Sequence, residues 1–269
     1  MSEAKDPGFA SFWHGPLNPL AYGCLASFPR VDAEFVVYSY DPNLELPEGV
    51  RLADAREICP DPSMAHRYRV DGQPSLAAFA DMFRYHMIRA TGRCWVDADI
   101  LCLARPNFRG EEYVFARQAD AVGETLVNNA VLRLPKADPA LAELIATADA
   151  ALDAELKWGA LGPFLLTPVL QSHGAYARAR KPVEFYPVEP EQFGKVFLPA
   201  RRAEVEAKIQ GATFLHLWSE AFKWSGWDLR VGPPAGSYLH EAFAATGTLG
   251  RFRRLAEAGE AEAAFEKGA

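Results

Sequence analysis

Apolar residues along the first half of the chain predict alternating strands and helices. Short apolar runs at residues 9–15, 34–40 and 50–53 are typical of buried strands. Strands that alternate with helices over the first hundred residues favour a parallel, Rossmann-like sheet, whose ligands lie beyond the carboxyl ends of its strands. Residues 56–74 are rich in proline and charge without a clear period, so we expect a loop there.

The second half of the chain predicts a less regular, more antiparallel arrangement. Apolar runs at 112–117, 183–188 and 196–198 favour short strands. The alanine-rich stretch 138–158 predicts a long helix. Residues 238–269 predict a helical tail.

The strongest helical pattern lies between Ser75, a suitable N-cap, and Gly92, a helix stop. Asp81 and Arg84 lie beside its apolar stripe, three positions apart, so they can pair. Taken alone, this pattern indicates a surface helix with one exposed ion pair, worth about 0–1 kcal/mol. The apolar stripe consists of Leu76, Phe79, Ala80, Phe83, Met87 and Ala90.

Two aspartates interrupt the apolar run that follows this helix. Residues 94–96 and 100–101 are apolar, with Asp97 and Asp99 between them. In one continuous strand, alternation would place both carboxylates on one face and Ala98 on the other. Two neighbouring carboxylates in an apolar setting repel and are costly to desolvate. A divalent cation with oxygen ligands, Mn²⁺ or Mg²⁺, would remove that cost.

The segment 79–100, FADMFRYHMIRATGRCWVDADI, resembles the sugar-nucleotide-binding region of retaining glycosyltransferases with a DXD motif. That group includes α-1,4-galactosyltransferase and mannosyltransferase-like enzymes and, more distantly, the catalytic domains of clostridial glucosylating toxins. The chain departs from the pattern at Ala80 and Arg93, where serine and glycine are usual. The matching residues are Asp81, Arg84, Tyr85, Gly92, Trp95, Asp97 and Asp99.

This resemblance, dense only at 79–99, covers most of residues 9–227 and implies an α/β, GT-A type fold. It implies one domain with a nucleotide-sugar-binding half at 9–105, an acceptor and closing half at 106–237 and a tail at 238–269. The implied activity is hexosyl transfer, with retention, from a nucleotide-diphosphate sugar, foremost a UDP-sugar. The implied acceptor is a saccharide, a lipid-linked molecule or another hydroxyl compound.

The resemblance also implies roles for individual residues. Asp99 would bind the metal directly, and Asp97 would reach the ribose or a metal-bound water. Asp81 and Arg84 would hold the transferred sugar and the phosphate oxygens. Trp13 would stack on the base, worth about 1–3 kcal/mol by analogy with other base–aromatic contacts; the alternative is a core aromatic. The other predicted donor-binding residues are Tyr85, Trp95, Asn128, Asn129 and Lys223.

Three of the predicted site positions have an equally ordinary structural interpretation. Asn128 and Asn129 offer donors and acceptors to sugar hydroxyls, but asparagine suits a turn equally well. His216 alternates with Trp218 in a predicted strand at 213–218 and is either a core histidine or a third metal ligand. We expect the aromatic segment that carries Lys223 to be a loop that closes over the donor, where the lysine would neutralise phosphate.

Composition narrows the function classes. The chain has 269 residues and a net charge of −7, which argues against general nucleic-acid binding. Without an apolar leader or a long apolar run, we expect a cytoplasmic protein. Four scattered cysteines lack metal-ligand spacing and are expected to be reduced core residues.

The arginines of the tail suggest a contact with an anionic membrane surface only weakly, because a solvated helix face explains them as well.

Two rival functions stay open. A haloacid-dehalogenase-like phosphatase also uses an Asp-x-Asp motif, but normally on the first strand and with later lysine and acidic partners. A degenerate transferase fold would bind a sugar nucleotide without turnover. The acceptor, the exact sugar and the nucleophile cannot be derived from the residue pattern.

Overall fold

The computed structural model describes residues 8–119 and 125–265. Its strands are β1 (Phe9–Phe12), β2 (Phe35–Ser39), β3 (Val50–Asp54), β4 (Arg69–Val70), β5 (Gln73–Pro74), β6 (Cys94–Val96), β7 (Ile100–Cys102), β8 (Val114–Gln118), β9 (Leu126–Arg133), β10 (Glu155–Leu156), β11 (Phe214–His216), β12 (Val231–Gly232) and β13 (Arg254–Leu255). Its α-helices are α1 (Pro19–Ala26), α2 (Leu76–Thr91), α3 (Pro139–Ala150), α4 (Pro163–Ser172), α5 (Pro182–Phe185), α6 (Arg202–Lys208), α7 (Ser219–Trp224), α8 (Tyr238–Ala245) and α9 (Ala258–Phe265). Short 3-10 helices lie at Pro29–Val31, Ala55–Glu57, Pro62–His66, Tyr176–Arg178, Pro190–Phe197, Pro199–Arg201 and Leu249–Arg251.

A six-stranded mixed sheet organises the described part of the chain, with the strand order β3-β2-β1-β6-β9-β8. The strands β3, β2, β1 and β6 are parallel neighbours, while β9 runs antiparallel to both β6 and β8. Every residue of β1 and β2 is buried, as expected for parallel strands covered on both faces. The predicted α/β class with a Rossmann-like mixed sheet and flanking helices is confirmed, and the arrangement is consistent with a GT-A fold.

The helix α2 is built as its sequence pattern predicts. The Ser75 hydroxyl accepts from the Ala78 N–H at 3.2 Å, which caps the first turn. Gly92 ends the helix in the left-handed conformation, φ 73°, and its N–H donates to the Ile88 carbonyl. Phe79, Phe83 and Met87 of the predicted stripe are buried, and the Phe83 ring meets that of Phe12 at 4.8 Å between centroids. This packing fixes α2 beside the carboxyl end of β6. Leu76 and Ala90, at the two ends of the stripe, are exposed, so the prediction that they face the core is wrong.

Several expectations for the second half are wrong. The helix predicted at 138–158 ends at Ala150, and the chain then turns through Asp153, whose φ is 65°. Residues after this turn form β10, which pairs with β4. Alanine favours a helix, but tertiary pairing decides where this helix stops.

The strands predicted at 183–188 and 196–198 are also absent from the described residues. The helix α5 begins at Pro182, and a 3-10 helix begins at Pro190. Proline lacks an N–H and has its φ fixed, which suits the first turn of a helix better than the ladder of a sheet.

Two other segments contain more structure than their sequences predict. The expected loop at 56–74 carries two 3-10 helices and the short strands β4 and β5. The tail contains α8 and α9 but also β13, so it is only partly helical; residues 266–269 lie outside the described part. All four cysteines are buried and free, as expected. Across the described residues, no helix combines the length and apolar character needed to cross a bilayer.

Candidate functional site

The Asp97-Ala98-Asp99 segment is a turn between two sheets. The strand β6 ends at Val96 and β7 begins at Ile100, and these strands belong to different sheets. The Ile100 N–H closes the turn by donating to the Asp97 carbonyl at 3.1 Å. The expectation that alternation along one continuous strand aligns the carboxylates is therefore wrong. Their proximity comes from the change of sheet.

Backbone and side-chain contacts hold Asp99 from the side of β11 and α7. The Ser219 N–H donates to Asp99 Oδ2 at 2.8 Å, and His216 Nε2 lies 3.4 Å from Asp99 Oδ1. Between them, Trp218 adopts a left-handed backbone with φ 55° and ψ 52°, which is uncommon for residues other than glycine. The Trp218 ring lies 4.0 Å from that of His216, and its Nε1 donates to the Val188 carbonyl. Such strain is often found at functional sites.

Arg84 joins three polar groups below the cleft. Its Nη2 donates to Asp97 Oδ1 at 2.9 Å, and its Nη1 donates to the Asn129 carbonyl at 2.8 Å. Nη1 also lies 3.2 Å from Asp81 Oδ1. The Arg84 side chain is only 4% exposed and its guanidinium lies 4.7 Å over the Trp95 ring. The expectation of an exposed, weak ion pair is therefore wrong, because helix packing buries this face of α2.

Asp81 and Asp97 are each held by one further side chain. Asn129 Nδ2 donates to Asp81 Oδ1 at 2.8 Å, and Trp95 Nε1 donates to Asp97 Oδ1 at 2.6 Å. Gly162 lies close to the first pair, since a Cβ there would be 3.2 Å from Asp81 Oδ2 and 3.1 Å from Asn129 Nδ2. The site thus consists of neighbouring carboxylates held by fixed donors.

Burial and pairing shift the pKa values of these carboxyl groups in different directions. Burial raises the pKa of Asp81 to about 6, although Arg84 opposes the shift. Burial also raises the pKa of Asp97, again against the attraction of Arg84. Burial opposes ionisation of Asp99 too, but His216 and the Ser219 N–H outweigh it, so the pKa of Asp99 is held well below its usual range. Asp99 is consequently the most acidic of the three.

One group of side chains in the described ranges 8–119 and 125–265 could hold a metal ion. Asp97, Asp99 and His216 each offer a ligand atom, and these atoms all lie within 4.8 Å of one another. Two ligands about 2.1 Å from one ion lie at most about 4.2 Å apart, so a contraction of roughly half an ångström is needed. Oxygen ligands suit Mg²⁺ and Mn²⁺, while an imidazole favours a transition ion. The donor set therefore fits a divalent cation.

These groups line a cleft of about 680 Å³. Lys223, Trp13 and both asparagines, for which donor binding is predicted, also line this cleft. Trp13 is only partly buried, and its Nε1 is enclosed without a hydrogen-bond partner among the described residues. Asn128 Nδ2 donates to Gln118 Oε1, and Lys223 pairs with Glu220. The segment that carries Lys223 is the helix α7, where the sequence predicts a loop.

Two predicted donor-binding aromatics support the site from beneath. Tyr85 is fully buried, lies outside the lining of the cleft, and donates from its hydroxyl to the Leu161 carbonyl at 2.6 Å. Trp95 is 1% exposed and contacts the cleft only through its edge, where Nε1 meets Asp97. Trp95 thus holds the Asp97 carboxylate itself, and Tyr85 holds the segment next to Gly162.

Sequence reasoning misses three features of the site. The Ser219 N–H is a backbone donor, which no residue pattern reveals. Trp158 lies at the end of a helix in the sequence interpretation, whereas the structure places its ring at the cleft mouth beside Trp224. Gly162 begins a recognisable Gly-Pro step, but its closeness to Asp81 appears only in the fold.

The arginines of the tail offer little support for a membrane contact. Each of them pairs with a carboxylate, which reduces the positive charge available to an anionic surface. The pairs are Arg251–Glu45, Arg253–Asp228 and Arg254–Glu260.

Comparison with known proteins gives limited information. No protein-family model matches the chain, and no curated protein matches it. Among solved structures, one described as "PaToxG Glycosyltransferase" matches with a TM-score of 0.44 and 16% sequence identity, over 62% of this chain and 69% of that chain. A similarity at this level does not carry an argument about function, so the function has to be argued from the site.

Proposed function

We propose that this protein is a metal-dependent glycosyltransferase that takes a sugar from a nucleotide-diphosphate donor, with UDP-sugars as the first donors to test. One observation carries the proposal: Asp97, Asp99 and His216 converge to within 4.8 Å in a cleft that also contains Arg84. A divalent cation suits a diphosphate, because it stabilises the charge that leaves with the nucleotide, and Arg84 adds a fixed positive charge directly behind Asp97.

The bound cation would neutralise the diphosphate and stabilise it as a leaving group. Asp99, held ionised by its pairing, is the best direct ligand, and Asp97 is the second. His216 completes the set through the ring nitrogen that faces Asp99. Metal binding would replace the contact between His216 and Asp99, which is the main change that the site has to make.

Arg84 and its neighbours have a positioning role in this proposal. The two outer guanidinium nitrogens of Arg84 are fixed on Asp97 and Asn129, so the cationic group cannot swing away from the cleft. Asp81 lines the cleft and is expected to accept a hydroxyl hydrogen of the transferred sugar. Trp13 follows the carboxyl end of β1, lines the same cleft, and is expected to stack on the nucleotide base.

A matched set of variants tests the metal assignment. Thermal unfolding with Mn²⁺, with UDP and with both should show stabilisation by UDP that depends on Mn²⁺, since a ligand bound only by the folded state raises stability. Release of the matching nucleoside diphosphate from UDP-, GDP- and ADP-sugars then identifies the donor. Asp99→Asn should lose Mn²⁺-dependent turnover. Asp149→Asn, which alters an exposed carboxylate on α3, should not.

Retained wild-type turnover in Asp99→Asn would overturn the metal assignment, provided circular dichroism shows that the variant is folded. His216→Gln is the second variant, in case Asp99→Asn does not fold. A Trp13→Ala variant tests the stacking contact with the base separately from the metal site. It should weaken UDP binding more than it lowers turnover at saturating donor. Binding of UDP and Mn²⁺ without turnover of any donor would instead support the degenerate transferase alternative.

The phosphatase alternative has little support from this geometry. That class carries its Asp-x-Asp motif after the first strand, whereas here the motif follows β6. A phosphomonoester such as p-nitrophenyl phosphate gives a direct test. Release of p-nitrophenol that depends on Asp97 and Asp99 would favour that class over glycosyl transfer.

A further inference from the structure

Large exposed apolar side chains concentrate at the mouth of the cleft. Four of the six such side chains in the described part of the chain line this cleft. Trp224 is 66% exposed, Phe164 56% and Trp158 55%. Exposed apolar groups gathered at one place usually mark a binding surface. The cleft members are Leu76, Trp158, Phe164 and Trp224, and the others are Val183 and Leu255.

Two tryptophans from opposite sides of the cleft meet at its mouth. The rings of Trp158 and Trp224 have centroids 5.4 Å apart and planes inclined at 68°. This arrangement forms a corner in which one ring offers its face and the other its edge. Because both rings stay more than half exposed, most of this corner is left for a ligand.

Both tryptophans belong to segments that also touch the carboxylates. Trp158 lies four positions before Gly162, which packs on Asp81. Trp224 ends the helix whose first residue, Ser219, donates to Asp99. The two tryptophans are therefore attached to both sides of the acidic centre and line the same cleft as its carboxylates.

The surroundings of the corner favour a ligand with apolar faces and polar edges. Lys157 adjoins Trp158 in sequence and lines the cleft, and the Glu220–Lys223 pair lies on α7 beside Trp224. A pyranose ring offers C–H groups on its faces and hydroxyls around its rim, so it can stack on indole while bonding to charged neighbours. An acyl chain would cover the rings but could form no hydrogen bond with Lys157 or with the Glu220–Lys223 pair.

We propose that the corner formed by Trp158 and Trp224, which we call the aromatic corner, is the acceptor subsite and binds a pyranose unit of a saccharide. This inference rests on the proposed glycosyl transfer. In that reaction, an acceptor hydroxyl oxygen bonds to the anomeric carbon of the donor sugar. The bond from that carbon to the phosphate oxygen breaks, its electron pair leaves with the nucleotide diphosphate, and the hydroxyl proton passes to the departing diphosphate or to solvent.

The test compares three single variants with the wild type. Trp158→Ala and Trp224→Ala remove one wall of the aromatic corner each, and Trp158→Phe keeps a ring for rescue. Val183→Ala is the matched control, because it truncates an exposed apolar side chain outside the cleft. Saturation-transfer NMR measures binding of maltotetraose, cellotetraose, chitotetraose and mannotetraose. Calorimetry measures UDP with Mn²⁺, and sedimentation measures binding to phosphatidylcholine vesicles.

The expected result is binding of at least one tetrasaccharide that weakens roughly tenfold or more in both alanine variants, a factor of ten being about 1.4 kcal/mol. Trp158→Phe should recover part of that loss, and the control and the UDP affinity should stay unchanged. No binding of any tetrasaccharide by the wild type, or binding that both alanine variants retain, would overturn the proposal. Loss of vesicle binding in these variants would instead indicate a lipid-linked acceptor.

Two further outcomes separate this proposal from the proposed function. If both alanine variants weaken UDP binding as much as saccharide binding, the corner belongs to the donor site and the acceptor assignment is wrong. If the wild type binds no nucleotide with Mn²⁺ but still binds a saccharide through Trp158 and Trp224, glycosyl transfer fails as the function. The saccharide subsite would then stand as a binding site in its own right.

Discussion

Asp81→Asn should make the metal-free protein more stable at neutral pH while lowering its activity. The carboxyl group of Asp81 is buried, and burial raises its pKa from about 3.8 to about 6. Asparagine is close in shape to the protonated carboxyl, and its amide oxygen can still accept from Asn129 and from Arg84. The substitution therefore removes the cost of burying a charge and keeps the neighbouring hydrogen bonds.

The pH window follows from the raised pKa of Asp81. Because the folded state holds this proton more tightly than the unfolded chain, the wild type loses stability as the pH rises from about 4 to about 6. A shift of about two pKa units corresponds to roughly 3 kcal/mol at most. Above pH 6, Asp81→Asn should thus unfold at a temperature up to roughly 10 °C above that of the wild type. Below pH 4 the difference should disappear.

Thermal unfolding in EDTA between pH 3.5 and 8 measures this difference without bound metal. Asp149→Asn controls for the loss of one negative charge, since it alters an exposed carboxylate outside the cleft. Donor turnover by Asp81→Asn should fall roughly tenfold or more, because one acceptor for the sugar becomes neutral. Equal or lower stability of Asp81→Asn at pH 8 would refute the assigned burial cost. Unchanged turnover would remove Asp81 from the donor site.

Three further variants or conditions test the site. Arg84→Lys should lower the free energy of unfolding by about 1–3 kcal/mol, measured in urea, because lysine cannot satisfy both Asp97 and the Asn129 carbonyl; a change near zero would contradict the buried network. Gly162→Ala should lower turnover with little loss of stability, since the added Cβ lies 3.1 Å from Asn129 Nδ2. Gly250→Ala, with open space around it, is the matched control. Mn²⁺ affinity measured by calorimetry should fall as the pH decreases, because the raised pKa of Asp97 makes protons compete with the metal; pH-independent affinity would exclude Asp97 as a ligand.

Local sequence signals determine the first half of this protein well. The helix α2 begins and ends at Ser75 and Gly92 as predicted, because a side-chain cap and a left-handed glycine act over only a few residues. Strands β1, β2 and β3 lie within or next to their predicted ranges. The strands β1 and β2 are fully buried, and such parallel strands are recognised in a sequence as short apolar runs, whereas β3 lies at the edge and is partly exposed. The residue types of the candidate site, Asp97 and Asp99 foremost, are also evident in the sequence.

The second half depends more on tertiary contacts. The predicted helix at 138–158 is cut short where Glu155–Leu156 pairs with a strand far away in the chain. Within 183–198, Pro182 and Pro190 begin helical turns where the sequence pattern predicts strands, because proline suits the first turn of a helix. Apolar runs of this length fit either element, so local pattern alone cannot separate them.

What the sequence determines about the site is its chemistry, and what the tertiary structure decides is its geometry. Two aspartates, an arginine and a histidine can be picked out by type and spacing. The turn between two sheets places Asp97 beside Arg84 and Asp99 beside His216, although 117 positions separate the last two in the chain. Burial of Arg84, the Ser219 N–H and the meeting of Trp158 with Trp224 likewise depend on segments that only packing brings together, and no local pattern encodes such contacts.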